Sequence, residues 1–279
     1  MRTCIDCIPC FMDQALRVGR IATQDEAKIK ELLNYVGCMI RDIPMESTPP
    51  EIGDIIYAEL RKITGVDDPF EQIKKENINE AQALYPELKE IVSKSENKLL
   101  TAIRIAIAGN VIDFGVNKEF NLIEDVKQIL KQNFAILNFD EFEKELENAE
   151  SVLYLGDNAG ESVFDKILIE ELNKPVIYVV RDVPVINDVT YKDAIDSGLD
   201  EVAEIISSGT SAPGTILHTC NASFLEKFTH SDMIISKGQG NYEGLSSVDR
   251  SIFFLLKAKC PVIASNLNVR ENDIICALF

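Results

Sequence analysis

From residue 10 to residue 115 the apolar positions recur at helical spacing. In CFMDQALRVGRIA (10–22), Phe11, Met12, Ala15, Leu16 and Val18 fall near a 3.6-residue period, and EAKIKELLNYVGCMIRDI (26–43) continues in the same manner. STPPEIGDIIYAELRKITG (47–65) has the punctuation of a capped helix: Ser47 or Thr48 as cap, prolines in the first turn, Gly65 after the end. In NKLLTAIRIAIAGNVIDFG (97–115), Leu99, Leu100, Ile103, Ala106 and Ile107 share one side and Gly109 breaks the pattern. No strand is expected in the first hundred residues.

Beyond about residue 148 the pattern changes to short β-branched runs: SVLYLG (151–156), PVIYVV (175–180), EIISS (204–208), DMIIS (232–236) and PVIAS (261–265). They recur at intervals near thirty residues or a little less, and helical patterns such as VFDKILIEEL lie between them. Strands alternating with helices at this spacing predict βαβ units and a parallel sheet buried on both faces. The expectation is an α/β protein: residues 1–100 a helical N-terminal domain, and residues 101–279 a three-layer α/β/α Rossmann-like core with a mainly parallel sheet of five strands.

In open parallel sheets the ligand crevice lies beyond the carboxyl ends of the strands. Polar residues fall there four times: Asp157-Asn158, RDVPVIND (181–188), SGTSAPGT (208–215) and KGQGNYE (237–243). Any one of these is explained by a turn or a helix cap. Four on one sheet edge point to a site.

Composition narrows its chemistry. Apolar residues make up 46% and charged residues 27% of 279, as in ordinary globular proteins. No segment approaches the ~18 apolar residues of a membrane span, and no secretion signal is recognisable, so a cytoplasmic protein without membrane contact is expected. Net charge is −18, with 46 acidic against 28 basic residues, which disfavours a nucleic-acid partner. The seven cysteines are read as reduced thiols, and the two histidines, His218 and His230, stand in no ligand spacing. The oligomeric state is not legible.

Asp157, Asn158 and Asp188 are hard oxygen donors, a set suited to Mg²⁺ or Mn²⁺ with water and phosphate completing the shell. Lys237, between a strand and the glycines of KGQGNYE, offers a point charge beside backbone that can approach an anion. GTSAPGT has the glycine spacing of a P-loop without its lysine, which argues against nucleoside triphosphate hydrolysis. The cysteine, Asp-x-Asp-x-Thr and Arg-His-Gly phosphatase signatures are all absent from the sequence. Asn110 and Asp113 follow the break at Gly109 with a spacing that places both on one side of a helical turn; a capped helix end explains them equally well. Cys7-x-x-Cys10 resembles half of a structural zinc site, with Cys4 a possible third thiol, against the default of buried reduced cysteines.

Taken in order, a helical N-terminus with CxxC, then GNxxD, GDNAGE, RDxPxxND and KGQGNYE, the chain resembles the domain-of-unknown-function 89 family, in its short archaeal type, over nearly its whole length. The resemblance implies a metal-dependent damage-control phosphatase with a Rossmann-like α/β/α core, acting on small phosphate monoesters such as sugar phosphates or damaged metabolites. It carries the metal ligands onto Asp157, Asn158 and Asp188, with Mg, Mn, Co or Ni as candidate ions. Water activated by the metal is the preferred nucleophile, with Asp157 itself, giving an aspartyl-phosphate, as the alternative. It places substrate phosphate near Lys237, Gly238 and Asn241, with Glu161, Asn110 and Asp113 lining the pocket. A relative has also been described as a carboxyl methyltransferase using S-adenosylmethionine. That alternative, and a non-catalytic metabolite-binding protein, stand beside the phosphatase. The methyltransferase is disfavoured because GDNAGE puts an Asp-Asn pair where such enzymes place glycines.

Overall fold

The computed structural model describes residues 1–109 and 122–279, with 122–125 described by backbone alone. In chain order the elements are α1 (Cys7–Ala22), α2 (Glu26–Ile40), α3 (Pro49–Thr64), α4 (Glu71–Lys94), α5 (Lys98–Gly109), α6 (Leu122–Lys131), β1 (Phe134–Leu137), α7 (Phe139–Asn148), β2 (Val152–Leu155), α8 (Ser162–Leu172), β3 (Val176–Val180), α9 (Tyr191–Asp196), β4 (Glu204–Ser207), α10 (Ala222–His230), β5 (Met233–Lys237), α11 (Gly238–Leu245), β6 (Phe253–Lys257), α12 (Pro261–Leu267) and β7 (Ile274–Leu278). Among the described residues no helix is long and apolar enough to cross a membrane.

The α3 helix forms as its sequence predicts. Thr48 and Glu51 make a capping box, the prolines sit at its start, and Gly65, at φ 71°, ends it in the left-handed region. The apolar stripes of α1, α2 and α3 close on one another through Phe11, Val18, Leu32, Val36, Ile56 and Leu60. The next two helices pack differently. Ile78 and Leu88 of α4, and Ile103 and Ile107 of α5, share a core with the sheet, and α5, which runs across residue 100, lies against α8.

The sheet has seven strands in the order β1-β7-β6-β5-β2-β3-β4. All neighbours are parallel except β6 and β7. Alternate residues feed two cores. Val152, Tyr154, Tyr178 and Ile235 face α4, α5, α7 and α8, whereas Leu153, Leu155, Val179 and Ile234 face α10, α11 and α12. Helices on both faces of a mainly parallel sheet make this an α/β protein of three layers.

Two expectations are corrected. PVIAS is not a fifth parallel strand but the start of α12. Cys260 is its N-cap and Pro261, with its preset φ and no N–H to pair, occupies the first helical position. The strand beyond β5 is FFLLK, and IICAL returns antiparallel to it. KGQGNYE is likewise not a loop: Lys237 closes β5 and α11 begins at Gly238.

From β2 the chain winds outward to β3 and β4, then returns to the other side of β2 as β5 and continues to β6. The carboxyl ends of β2 and β5 therefore flank the point where the winding reverses. A crevice opens at such a point because the flanking connections leave on opposite faces.

Candidate active site

Backbone pairing at the reversal point draws two loops together. After β2, Asn158 forms an antiparallel bridge with Asp188 of the connection that follows β3. Val189 N–H donates to Asp157 O at 2.8 Å and Ala159 N–H to Asn187 O at 2.8 Å. Asp188, distant in sequence from the adjacent Asp157 and Asn158, thus shares one sheet edge with them. The Asp188 loop is held from the helical side: Arg61 Nη1 donates to Pro184 O at 3.1 Å and Val185 is buried in the α1–α3 core. Ile186 takes φ 41°, a left-handed conformation costing a β-branched residue about 1–2 kcal/mol, two residues before Asp188.

Gly238 has φ 79°, and a Cβ there would overlap the Asp157 carboxylate. The start of α11 therefore abuts that carboxylate, the position where a helix favours negative charge. Glu161, the residue before α8, is buried and links outward and inward. Its Oε1 accepts from Asn158 Nδ2, which also donates to Asp157 Oδ2 at 3.3 Å. Its Oε2 accepts from Lys237 Nζ at 3.3 Å.

Lys237 is wholly buried, and its shorter link, 2.6 Å, runs to Asp165 Oδ1. Tyr154 and Tyr178, register partners on β2 and β3, donate to the same carboxylate at 2.7 and 2.8 Å. Arg181, also buried, donates from Nε to Asp188 Oδ2 at 2.7 Å and from Nη2 to Asn241 Oδ1 at 3.0 Å, with Thr215 Oγ1 at 3.4 Å from Nη1. Asn241 passes its own amide to Gly156 O at 3.0 Å and Lys237 O at 2.8 Å, tying the ends of β2 and β5.

Charge is unbalanced here. Asp157, Glu161, Asp165 and Asp188 are buried against two buried cations, Lys237 and Arg181. Burial, with the charges of Glu161 and Asp188, pushes the Asp157 carboxyl well above the carboxylate range. Burial raises Asp188 to about 6 despite Arg181, and raises Asp165 against the pull of Lys237. Burial opposes the charge on Lys237, but Asp165 and Glu161 outweigh it and hold the ammonium above its usual range. A divalent cation among these oxygens would relieve the repulsion that otherwise draws protons onto the acids.

The structure thus gathers Asp157, Asn158, Glu161, Asp188, Lys237, Gly238 and Asn241. Asn110 and Asp113 lie outside the described residues. Cys7 is buried with its Sγ 3.5 Å from that of Cys4, whereas Cys10 is exposed. Burial raises the Cys7 thiol to about 12. Among the described residues no group of three or more His, Cys, Asp or Glu side chains is arranged to enclose a metal ion. Sequence reasoning passed over Asp165, Arg181, Tyr154 and Tyr178. Two signals existed: tyrosines in the same strand phase of VLYL and VIYVV, and an acid four residues after Glu161.

The family model for the damage-control phosphatase ARMT1-like domain matches residues 3–275. The chain belongs to this family. Within it, the chain is 36% identical to a Pyrococcus horikoshii protein named damage-control phosphatase PH1575, over 99% of this chain and 98% of that one. It is 30% identical to a damage-control phosphatase of Archaeoglobus fulgidus, over 96% of each chain. The crystal structure of a DUF89 family protein, PH1575 from Pyrococcus horikoshii, superposes with TM-score 0.90 at 35% identity, covering 99% of this chain and 98% of that one.

Proposed function

We propose that this chain is a divalent-metal-dependent phosphatase that hydrolyses small phosphate monoesters, sugar phosphates or damaged phosphometabolites, by attack of water. The observation that carries this reading is the cluster of four buried carboxylates against two buried cations where the sheet winding reverses. The names of the curated relatives support a phosphatase in general. Asp157, Asn158 and Asp188 would hold the ion, with Mg, Mn, Co or Ni as candidates. Two carboxylates and an amide leave room for water and phosphate oxygens, the habit of Mg²⁺-type sites rather than of all-protein cages. When bound, the ion supplies charge neutralisation at the phosphoryl oxygens and a lowered pKa for water.

The chain's own residues provide position. Arg181 fixes the Asp188 carboxylate, and the backbone pairing between 157–159 and 187–189 fixes Asp157 against Asp188. Glu161 orients the Asn158 amide. Lys237 is a fixed positive charge behind the acids. Its 3.3 Å link to Glu161, weaker than its 2.6 Å link to Asp165, is the one a phosphoryl oxygen would replace. Transfer to water breaks the P–O bond to the leaving alcohol as the new P–O bond forms, so most of the required stabilisation is electrostatic.

Purified protein should release phosphate from p-nitrophenyl phosphate or a sugar phosphate when Mg, Mn, Co or Ni is supplied, and Asp157→Ala should abolish release. Full activity after exhaustive chelation would overturn the reading.

A further inference from the structure

Helix α3 covers the reversal point, and contacts run along its length. Asp54 Oδ1 accepts from Ser211 Oγ at 2.7 Å, and a Cβ on Gly53 would lie 2.8 Å from Pro213 Cγ. One turn on, Tyr57 packs with Val185 of the Asp188 loop, and beyond it Arg61 holds Pro184 O. Tyr57 is 2% exposed, yet its hydroxyl has no hydrogen-bond partner among the described residues. A buried donor left unpaired is costly, and native proteins keep such groups where a ligand or water completes them. The phenol packs beside Val185 and Ile186, three and two residues before Asp188, and the charges of Asp188 and Arg17 both reach it. Burial raises its pKa, so it stays a neutral donor at any working pH.

We propose that the Tyr57 hydroxyl is a substrate-binding group, donating a hydrogen bond to a phosphoryl oxygen of the ester held beside Asp157 and Asp188. This rests on the phosphatase reading and adds a contact from the helical layer, which the strand-end residues do not provide. The competing occupant is one trapped water: Tyr57 lines a cavity of about 10 Å³ with Arg61, Phe70, Pro184 and Val185, room for a single molecule at most.

Tyr57→Phe separates the two. A donor to a charged oxygen is worth about tenfold or more in binding. With Mn²⁺ present, Tyr57→Phe should bind inorganic phosphate at least tenfold more weakly by calorimetry. It should lose a similar factor in kcat/KM on p-nitrophenyl phosphate, and melt no lower than wild type. Unchanged phosphate affinity and kcat/KM, with wild type active, would assign the hydroxyl to the water and overturn the inference while leaving the phosphatase intact. Weakened phosphate binding in Tyr57→Phe beside a wild type that binds phosphate but turns over no ester would support the contact and remove the phosphatase. A wild type that neither binds phosphate nor turns over ester would overturn both. Should Tyr57→Phe fail to fold, Tyr57→Leu and Tyr57→Met serve in its place, with the same expected loss and the same overturning result.

Discussion

Lys237 and Arg181 hold three carboxylates in place, Lys237 bracing Asp165 and Glu161 and Arg181 bracing Asp188, and neither cation reaches solvent. Glu243 on α11 is a buried acid with no cation bonded to its carboxylate among the described residues, although the Met1 ammonium, which donates to Glu243 O at 2.6 Å, pulls on it. Its side-chain donor is Gln239 at 2.8 Å, and burial outweighs both this bond and the Met1 charge, pushing the carboxyl from 4.5 to about 7. The folded state therefore holds a proton that the unfolded chain releases above 4.5. Stability from this group is highest at low pH and declines as pH rises from about 4.5 to 7, by at most about 3 kcal/mol. Glu243→Gln should remove that decline: in urea titrations its advantage over wild type should grow between pH 5 and pH 8, and a constant difference would count against the assignment. Asp157, Asn158 and Asp188 stood out in the sequence because a polar residue at the end of a buried strand is unusual enough to notice. Asp165 and Tyr57 did not. An acid or a tyrosine within an amphipathic helix reads like any solvated or core position until its neighbours from other elements are known.

At the scale of elements, β2, β3, β4 and β5 were legible as runs of β-branched residues bounded by polar turns. PVIAS satisfied the same pattern, and its proline does not set it apart, because the β3 run PVIYVV opens with the same three residues. FFLLK and IICAL are short apolar runs that periodicity alone does not separate from helix, and β1 sits at the sheet edge, where alternate residues are only half-buried. The role of α3 was not readable from its stripe, since the same apolar face that packs on α1 and α2 also brings Gly53 against Pro213. Adding a side chain there tests whether α3 belongs to the site. Gly53→Val should force α3 from the 209–215 loop at a cost of about 1–3 kcal/mol, and should lower kcat/KM on p-nitrophenyl phosphate well below the melting temperature. A variant destabilised to this degree with unchanged kcat/KM would make α3 a structural cover only.

The whole molecule carries a net charge of −18, and four of its acids are confined in one water-poor region. Both facts make the folded state self-repelling without a bound cation, but they respond differently to added ions. General repulsion between exposed charges falls with ionic strength, because the Debye length shortens to about 10 Å at 0.1 M salt. Buried acids are screened little by such an atmosphere and respond instead to an ion that enters among them. At fixed ionic strength, replacing NaCl in part by MnCl₂ at about a hundredfold its dissociation constant should stabilise the fold by about 2.7 kcal/mol. That corresponds to a rise of about 5 °C in a chain of this size. In Asp157→Ala the rise should vanish while the response to NaCl persists, since the alanine removes one buried donor and leaves the surface charge almost unchanged. An equal rise with Mn²⁺ in both proteins would place the ion on the acidic surface rather than where the sheet winding reverses.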